Sequence, residues 1–321
     1  MPTTLKDVAR LAEVSIKTVS NVVNDYPHVS DAVRSRVRAA LAELDYRPNP
    51  TARQLRTGRT GMLALVLSGG GPACPDGLAG EVAAAAAERG YRVVVEEADA
   101  LARELRPAPV DGVLLGADGR PPGPAGTPVV LLGGTGDGRR DLVAVDHARA
   151  AEDATAHLLR AGCRRVAAIG LELDGPGGTT PPYVLGYRRA LDRAGLAPPA
   201  GPPHPTGRHR RAEGYRAARA LLADAARPDG VVCASDPLAI GAMRAAFDLG
   251  LRVPEDVAVI GMGDSEEGRF YRPALSSVSV DTARLAREAV ARIVARIARP
   301  GAPAARITVA HSVRVRASTG G

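Results

Sequence analysis

The chain has 321 residues, enough for two or three domains with a sizeable core. Its net charge of +7 is uneven: residues 1–60 carry ten Lys and Arg against six Asp and Glu, and the rest carries only +3. A basic N-terminal module on a nearly neutral body indicates a polyanionic partner for that module. Three scattered cysteines without a Cys-x-x-Cys pair argue against a disulfide framework and a structural zinc site.

The N-terminus shows no signal peptide, and no apolar run reaches the length of a transmembrane helix. We therefore expect a cytoplasmic protein without a membrane partner. No arrangement of Ser, His and Asp or of paired carboxylates stands out, so we expect neither an enzyme nor a bound cofactor or metal.

The stretch Leu5–Asn24 reads as two short helices joined by a tight turn. Helical spacing predicts that the first buries one apolar face, formed by Leu5, Val8, Ala9, Leu11 and Ala12. Ser15 is the expected N-cap of the second helix. That helix buries Val19, Val22 and Val23 and turns five side chains outward: Ile16, Lys17, Thr18, Ser20 and Asn21. The pattern predicts a helix-turn-helix whose second helix enters a DNA major groove, with an ordinary helical corner as the alternative.

A third helix is expected after Ser30, its N-cap. Its predicted apolar face consists of Val33, Val37, Ala40, Leu41 and Leu44, with Tyr46 covering the small core. His28 and Ser30 either contact DNA phosphates or serve only as loop and cap residues, and the sequence favours neither role.

The segment after this helix encodes a fourth, shorter one. Asn49 is a good N-cap, Pro50 suits the first helical position and Gly58 is a natural stop, so residues 50–57 form about two turns. A helix this short is marginal alone and becomes ordered only when docked. Arg53 and Arg56 favour DNA as the docking surface, with Leu55 as an apolar wedge in the minor groove. The alternative is a plain interdomain linker.

From Met62 onward, strand and helix signals alternate. Short apolar runs such as MLALVL, RVVVE, GVLLG, PVVLL, VAAIG and VAVIG are separated by helical patterns, the longest from about Asp281 to Ala298. This alternation predicts an α/β fold with parallel sheets. Two such series indicate two lobes with a cleft at the carboxyl ends of their strands.

Three segments within residues 3–58 carry a specific resemblance: TLKDVARLAEVSIKTVSNVVN, HVSDAVRSRV and AELDYRPNPTARQL. Together they resemble the DNA-binding headpiece of the lactose-repressor (LacI/GalR) family. The resemblance implies a headpiece over residues 1–58 and a dimer with recognition helices in successive major grooves. It places Ser15, Ile16, Lys17, Thr18, Ser20 and Asn21 at the DNA. Lys17 can donate to guanine and Asn21 can pair with adenine. Ala52 and Leu55 match hinge-helix residues at the minor groove.

The body resembles the regulatory domain of the same family, which is similar to periplasmic sugar-binding proteins. The matching segments include GYRRALDRAGL, VVCASDPLAIGAMRAAFDLGLRVPEDVAVIGMGD, PALSSVSVD and VRVRAST. The resemblance implies three crossings between lobes, near residues 161, 280 and 313. Lobe 1 then holds about 62–160 and 281–312, and lobe 2 about 162–279 and 314–321. No heptad tail follows, which implies a dimer rather than a tetramer.

The resemblance also places effector-binding residues in the cleft: Ser68, Tyr183, Ser235, Asp236 and Asp264. Several family features are replaced here. The aromatic first loop is Gly-Gly-Gly-Pro, Tyr183 stands at an arginine position, and Gly263 and Gly133 stand where acidic residues are usual. Arginine and carboxylate groups hold sugars by multidentate hydrogen bonds, so these changes argue against an ordinary sugar effector. Asp236 can instead cap the helix that follows it.

Three functions follow from these patterns. The first is a transcriptional regulator, a repressor by analogy, whose effector changes the folding of the hinge helix and hence DNA affinity. The second is a DNA-binding regulator whose sensing domain has lost small-molecule binding. The third is an NAD(P)-binding enzyme, suggested by Gly69–Gly71 followed by Glu96 and Glu97, although the third glycine of Gly-x-Gly-x-x-Gly is missing.

Overall fold

The computed structural model describes residues 4–23, 26–46, 59–67, 77–97, 109–116, 126–134, 136–171, 180–199 and 209–321. The chain divides into two compact units, Met1–Thr60 and Gly61–Gly321. None of the described helices is long and apolar enough to cross a membrane.

The first unit is built on α1 (Leu5–Leu11), α2 (Ile16–Val23) and α3 (Asp31–Glu43). One side chain from each helix is completely buried at the centre: Val8, Val19 and Val37. Tyr46 packs against the same cluster, as the sequence predicted. Three helices this short cannot bury their apolar faces alone, so the unit is stable only as an assembly.

The turn between α1 and α2 is formed by local backbone contacts. The Thr4 backbone N–H and hydroxyl both donate to the Asp7 carboxylate, at 3.0 and 2.7 Å, which fixes the start of α1. At the end of α1, Glu13 adopts a left-handed conformation with φ of 52°, and the Val14 N–H donates to the Ala9 carbonyl.

Leu11 is 42% exposed, so its predicted place on the buried face of α1 was wrong. At about 100° per residue, Leu11 lies to the side of the helix face that Val8, Ala9 and Ala12 bury.

The second unit contains two sheets. The first sheet has the order β10-β5-β4-β3-β1-β2, and its neighbouring strands are parallel. Its strands are β1 (Met62–Leu67), β2 (Arg92–Glu97), β3 (Gly112–Gly116), β4 (Val129–Leu132), β5 (Asp141–Val145) and β10 (Arg306–Val309). Helices α4 (Leu78–Ala87) and α10 (Thr282–Ala298) pack against each other, and α10 also contacts β3, β4 and β5.

The second sheet has the order β11-β9-β8-β7-β6 and is parallel except for the β11–β9 pair. Its strands are β6 (Val166–Ile169), β7 (Gly230–Cys233), β8 (Ala258–Met262), β9 (Ser276–Val280) and β11 (His311–Arg314). The helices of this lobe are α5 (His147–Arg160), α6 (Pro182–Arg193), α7 (Arg211–Leu222), α8 (Asp236–Asp248) and α9 (Glu266–Phe270). The two sheets confirm the predicted α/β class.

The chain passes between the two lobes at three places. Helix α5 packs on α6 and on strands of the second sheet, so the first crossing lies at Asp146, before this helix, and not near residue 161. The second crossing lies between β9 and α10, beside residue 280. The third lies between β10 and β11, at Ala310, slightly before the predicted position near 313. The sequence prediction omitted β5, α5, α7 and the short helix α9.

Candidate DNA-binding face and ligand cleft

The second helix of the first unit begins with a side-chain cap. The Ser15 Oγ accepts a hydrogen bond from the Thr18 backbone N–H at 3.0 Å and lies 2.8 Å from the Thr18 Oγ1. This arrangement satisfies one of the free N–H groups at the helix start and fixes the Ser15 and Thr18 side chains against each other. The two hydroxyls therefore form part of a rigid end of α2.

The same helix shows a clear division between its faces. Val19 and Val22 are buried in the core, whereas Ile16 is 44% exposed and Lys17 is also exposed. Ser20 and Asn21 are half-buried. The first turn of α2 therefore presents one apolar and one cationic side chain to solvent, next to the capped hydroxyls. This combination suits contacts with base edges in a major groove.

The other residues predicted to contact DNA lie outside α2. His28 is exposed, and Ser30 occupies the N-cap position of α3 without a side-chain cap bond. The loop before α3 is fastened by Arg34, whose guanidinium donates to the Tyr26 carbonyl at 2.8 Å. The hinge segment with Ala52, Arg53, Leu55 and Arg56 lies outside the described residues, as do Ser68 and Gly69–Gly71.

A cleft opens in the second unit where the parallel strands of both sheets end. The described residues that line it come from both lobes: Gly133, Ala144, Val145, His147, Ala150, Tyr183, Met262, Gly263, Val278, Val280 and Leu285. Ligands of open α/β folds bind at the carboxyl ends of the strands, where such a crevice forms.

Tyr183 and His147 are the polar members of this lining. The Tyr183 hydroxyl lies 2.5 Å from the His147 Nδ1, and the two rings lie 4.6 Å apart between centroids. Tyr183 was predicted from the sequence, whereas His147 was missed because it begins a helix, α5, that the prediction omitted. An Asp directly before an Ala-rich run is an N-cap signal that could have located this helix.

Burial controls the protonation of this pair. Burial lowers the pKa of His147 to about 4, an effect that Asp146 opposes and His311 reinforces. Burial raises the pKa of Tyr183 far above its ordinary value. At neutral pH both side chains are uncharged, and the imidazole tautomer decides which of the two groups donates in their hydrogen bond.

Asp236 was predicted as a cleft residue, but its carboxylate is used within the second lobe. It is 1% exposed and accepts hydrogen bonds from the Ser277 hydroxyl and the Ser265 N–H, both at 2.6 Å. Burial raises the pKa of Asp236, and these two donors oppose that shift. The carboxylate thereby joins the start of α8 to the segment after β8 and to the start of β9.

Asp264 is held in a similar way. Its carboxylate bonds to Arg316 at 2.5 Å and to Arg269 at 3.0 Å, and its N–H donates to the Ser277 hydroxyl. Burial alone would raise the pKa of Asp264, but the arginine hydrogen bonds outweigh it and hold the pKa below its ordinary value. Ser277 connects the Asp264 backbone to Asp236, so the structure brings both predicted acids together as a structural cluster.

Ser235 is the last of the predicted cleft residues that the structure describes. It is 6% exposed, at the N-cap position of α8, and its hydroxyl is buried without a hydrogen-bond partner. An unpartnered buried hydroxyl is costly unless another group satisfies it. Of the predicted cleft residues that the structure describes, Tyr183 alone belongs to the lining.

A capped recognition helix on a three-helix unit, with a two-lobed α/β body, defines a DNA-binding regulator with a ligand-binding domain. Family comparisons agree. Residues 4–49 match the model of bacterial regulatory proteins of the lacI family, and residues 155–319 match a periplasmic binding protein-like domain. The Escherichia coli K12 ribose operon repressor is 32% identical over 314 residues, covering 92% of this chain and 94% of that protein. The chain belongs to the LacI family of transcriptional regulators.

Further relatives support the same assignment. The transcriptional regulator CelR of Thermobifida fusca is 35% identical over 335 residues, covering 98% of each chain. A CelR–cellobiose complex has a TM-score of 0.67, with 98% of this chain and 99% of that chain covered at 32% identity. A lac repressor dimer bound to operator and the anti-inducer ONPF has a TM-score of 0.78, with 99% of both chains covered at 25% identity.

Proposed function

We propose that two copies of this protein bind a palindromic operator and repress transcription, with DNA affinity set by a small molecule in the interlobe cleft. The observation that carries the DNA part is the first turn of α2, which is rigidly capped at Ser15 and exposes Ile16 and Lys17. A dimer places two such turns about one helical repeat of DNA apart.

The proposed control by an effector rests on the cleft and on the three places where the chain crosses between the lobes. A ligand that contacts both lobes favours one angle between them, and the chain crosses at Asp146, near residue 280 and at Ala310. We infer that this angle sets the spacing of the two hinge segments over residues 50–57. Ordering of that segment on DNA, with Leu55 in the minor groove, then couples ligand to operator affinity.

Lys17 gives the sharpest test of base reading. Lys6 and Lys17 are the two lysines of the chain, and both belong to the headpiece. We expect Lys17→Ala to relax preference at one operator position by about 1–3 kcal/mol, because a base contact is lost. Binding should be measured against a library of operator variants. Lys6→Ala is the matched control, and any loss it causes should be uniform across sequences. A uniform loss with Lys17→Ala would show that Lys17 contacts phosphate instead.

Loss of ligand sensing is the second candidate, because the Asp236 and Asp264 carboxylates are both engaged inside the second lobe. A titration of the full chain with ligands separates the two candidates. Saturable binding that changes operator affinity supports an effector, whereas operator binding unaffected by every compound supports a regulator that has lost sensing.

A further inference from the structure

The loop that follows α2 holds Tyr26 in a fixed position. The Tyr26 backbone N–H donates to the Asn21 carbonyl at 3.0 Å, and the Tyr26 carbonyl accepts from the Arg34 guanidinium at 2.8 Å. Asn21 belongs to α2, and Arg34 lies near the start of α3. Both backbone polar groups of Tyr26 are therefore bound, one to each helix, which fixes the backbone of this residue relative to the recognition helix.

The side chain on this fixed backbone faces solvent. Tyr26 is 57% exposed, whereas Tyr46, the other tyrosine of residues 1–60, packs against the headpiece core. His28, two residues further along the same loop, is also exposed. A tyrosine has only two side-chain torsions, so a contact made by its hydroxyl costs little conformational entropy when the backbone is already ordered.

The length of α2 brings this loop to the edge of a major groove. The N-terminal residues of a recognition helix contact base edges. Helix α2 has eight residues, which corresponds to about 12 Å, and the major groove is also about 12 Å wide. When Ile16 and Lys17 contact bases, the chain after Val23 therefore reaches the phosphates that border the groove. Tyr26 lies three residues beyond Val23.

We propose that the Tyr26 hydroxyl donates to a DNA phosphate oxygen at the edge of the major groove, and that Arg34 is the positioning residue for this contact. A phenolic hydroxyl donates one hydrogen bond, and tyrosines are among the side chains that contact DNA phosphates. Such a contact carries no sequence information directly, but it fixes the position of α2 in the groove. The inference rests on the proposed function of α2 in reading an operator and adds a contact outside that helix.

Removal of one oxygen atom tests the contact in the full chain. The probe is a palindromic DNA duplex that the wild type selects from a random-sequence pool. Tyr26→Phe should bind this duplex about three- to tenfold more weakly, because a hydrogen bond to a charged group is lost. The factor should be similar for duplexes with single base changes. Tyr46→Phe removes the hydroxyl of the core-packed tyrosine and is the matched control, which should not weaken binding. No loss in Tyr26→Phe, or equal losses in both variants, would overturn the proposal.

Neutral phosphate analogues identify the group that the hydroxyl contacts. A methylphosphonate is placed at one backbone position of the duplex at a time, and the wild type and Tyr26→Phe are titrated with each duplex. At the contacted position the difference in affinity between the two proteins should disappear, while it persists at the other positions. A difference that persists at every position would show that the hydroxyl contacts a base or a sugar, which would overturn the assignment to phosphate.

The role of Arg34 is tested by combining two substitutions. Arg34→Gln removes the guanidinium that donates to the Tyr26 carbonyl, so Tyr26→Phe should cause a smaller loss of operator affinity in that background than in the wild type. A general loss of headpiece stability would weaken binding by the same factor with and without the hydroxyl. An undiminished loss in the Arg34→Gln background would therefore overturn the positioning role.

Operator selection separates failure of this contact from failure of the proposed function. If the wild type selects no palindrome from the pool, the proposed function fails. If it selects one and Lys17→Ala relaxes a base preference, while Tyr26→Phe binds as tightly as the wild type, only the Tyr26 contact fails.

Discussion

His147 occupies the point where the chain first enters the second lobe, directly after the helix cap Asp146. The Asp146 carboxylate accepts from the Arg149 N–H at 3.0 Å, which fixes the start of α5 and therefore the position of the imidazole. Only 8% of His147 is exposed. Burial is the largest contribution to its lowered pKa of about 4, against an ordinary value of 6.5. The His147 imidazole is therefore protonated less readily in the folded protein than in the unfolded chain.

This difference predicts a pH-dependent stability. Between pH 6.5 and about 4 the unfolded chain binds a proton that the folded His147 does not, so stability is complete above pH 6.5 and falls as the pH decreases. The loss amounts to about 3 kcal/mol by pH 4. Urea unfolding of the wild type and His147→Gln should be compared at pH 8 and pH 5. The variant should lose less stability between the two pH values, and an equal loss would show that the pKa of His147 is the same in the folded and unfolded chains.

Asp236 and Asp264 show how far sequence can define a site. Their positions in the family pattern predict that both lie at the strand ends, and the structure places them there. Their partners come from distant parts of the chain, Ser277 on β9 and Arg316 near the C-terminus, and local patterns do not reveal which acid these groups neutralise. Tyr183 was predicted because it stands at a position of the family pattern where an arginine is usual. Its partner His147 required the tertiary structure.

At the scale of one element, Ser15 contributes both to the stability of α2 and to the surface proposed to bind DNA. Its Oγ caps α2 through the Thr18 N–H and faces the surface proposed for DNA. Capping needs only an acceptor, which Asp supplies as well as Ser does, whereas a DNA contact is sensitive to added negative charge. The two roles can therefore be separated by substitution.

Ser15→Ala should lower the stability of α2 by about 1 kcal/mol, because the cap is lost. Ser15→Asp should retain the helix and yet weaken operator binding, because a carboxylate then faces phosphates. Hydrogen exchange of the α2 amides reports the first effect and an operator titration reports the second. Operator affinity unchanged in Ser15→Asp would remove Ser15 from the proposed DNA face.

Helices α5 and α6 meet at a glycine. A Cβ built on Gly186 would collide with the Ala148 carbonyl, so the two helix backbones approach more closely than any other residue permits. A Cβ built on Gly80, in α4, would meet no other atom within 4 Å. Replacing each of the two glycines by alanine should therefore have opposite effects on stability.

Gly186→Ala should destabilise the second unit by about 1–3 kcal/mol, since the helices must separate to admit the methyl group. Gly80→Ala should instead stabilise it by about 0.5–1 kcal/mol, because alanine restricts the unfolded chain and favours a helix. Thermal unfolding of the two variants should show shifts of opposite sign. Shifts of the same sign would mean that the α5–α6 contact is looser than the structure shows.

On the scale of the whole molecule, the sequence predicted the α/β class, the three-helix headpiece and most strands, because their apolar patterns are local. It missed β5, which is only five residues long, and α5, whose buried face contains His147, Glu152 and Thr155 among its alanines. That omission also displaced the first crossing, since α5 was assigned by default to the lobe that precedes it. Which lobe an element joins depends on contacts distant in sequence, such as α5 with β11.

The C-terminal segment joins the second lobe through several hydrogen bonds, and the Ser318 hydroxyl makes two of them. Ser318 Oγ donates to the Val259 carbonyl at 2.6 Å and accepts from the Ser276 N–H at 2.8 Å, so it bridges β8 and β9. Ser318 is completely buried, and water cannot replace it without rearrangement. Folding of the central strands therefore depends on residues at the far end of the chain.

Ser318→Ala should destabilise the second lobe by about 2 kcal/mol or more, because a buried carbonyl and a buried N–H both lose their partner. Ser312→Ala, at an exposed position on β11, is the matched control and should stay within about 0.5 kcal/mol of the wild type. Hydrogen exchange of the β8 and β9 amides measures the effect locally, with the headpiece amides as an internal reference. Equal protection in the two variants would show that Ser318 fills space at the end of the sheet without holding its strands together.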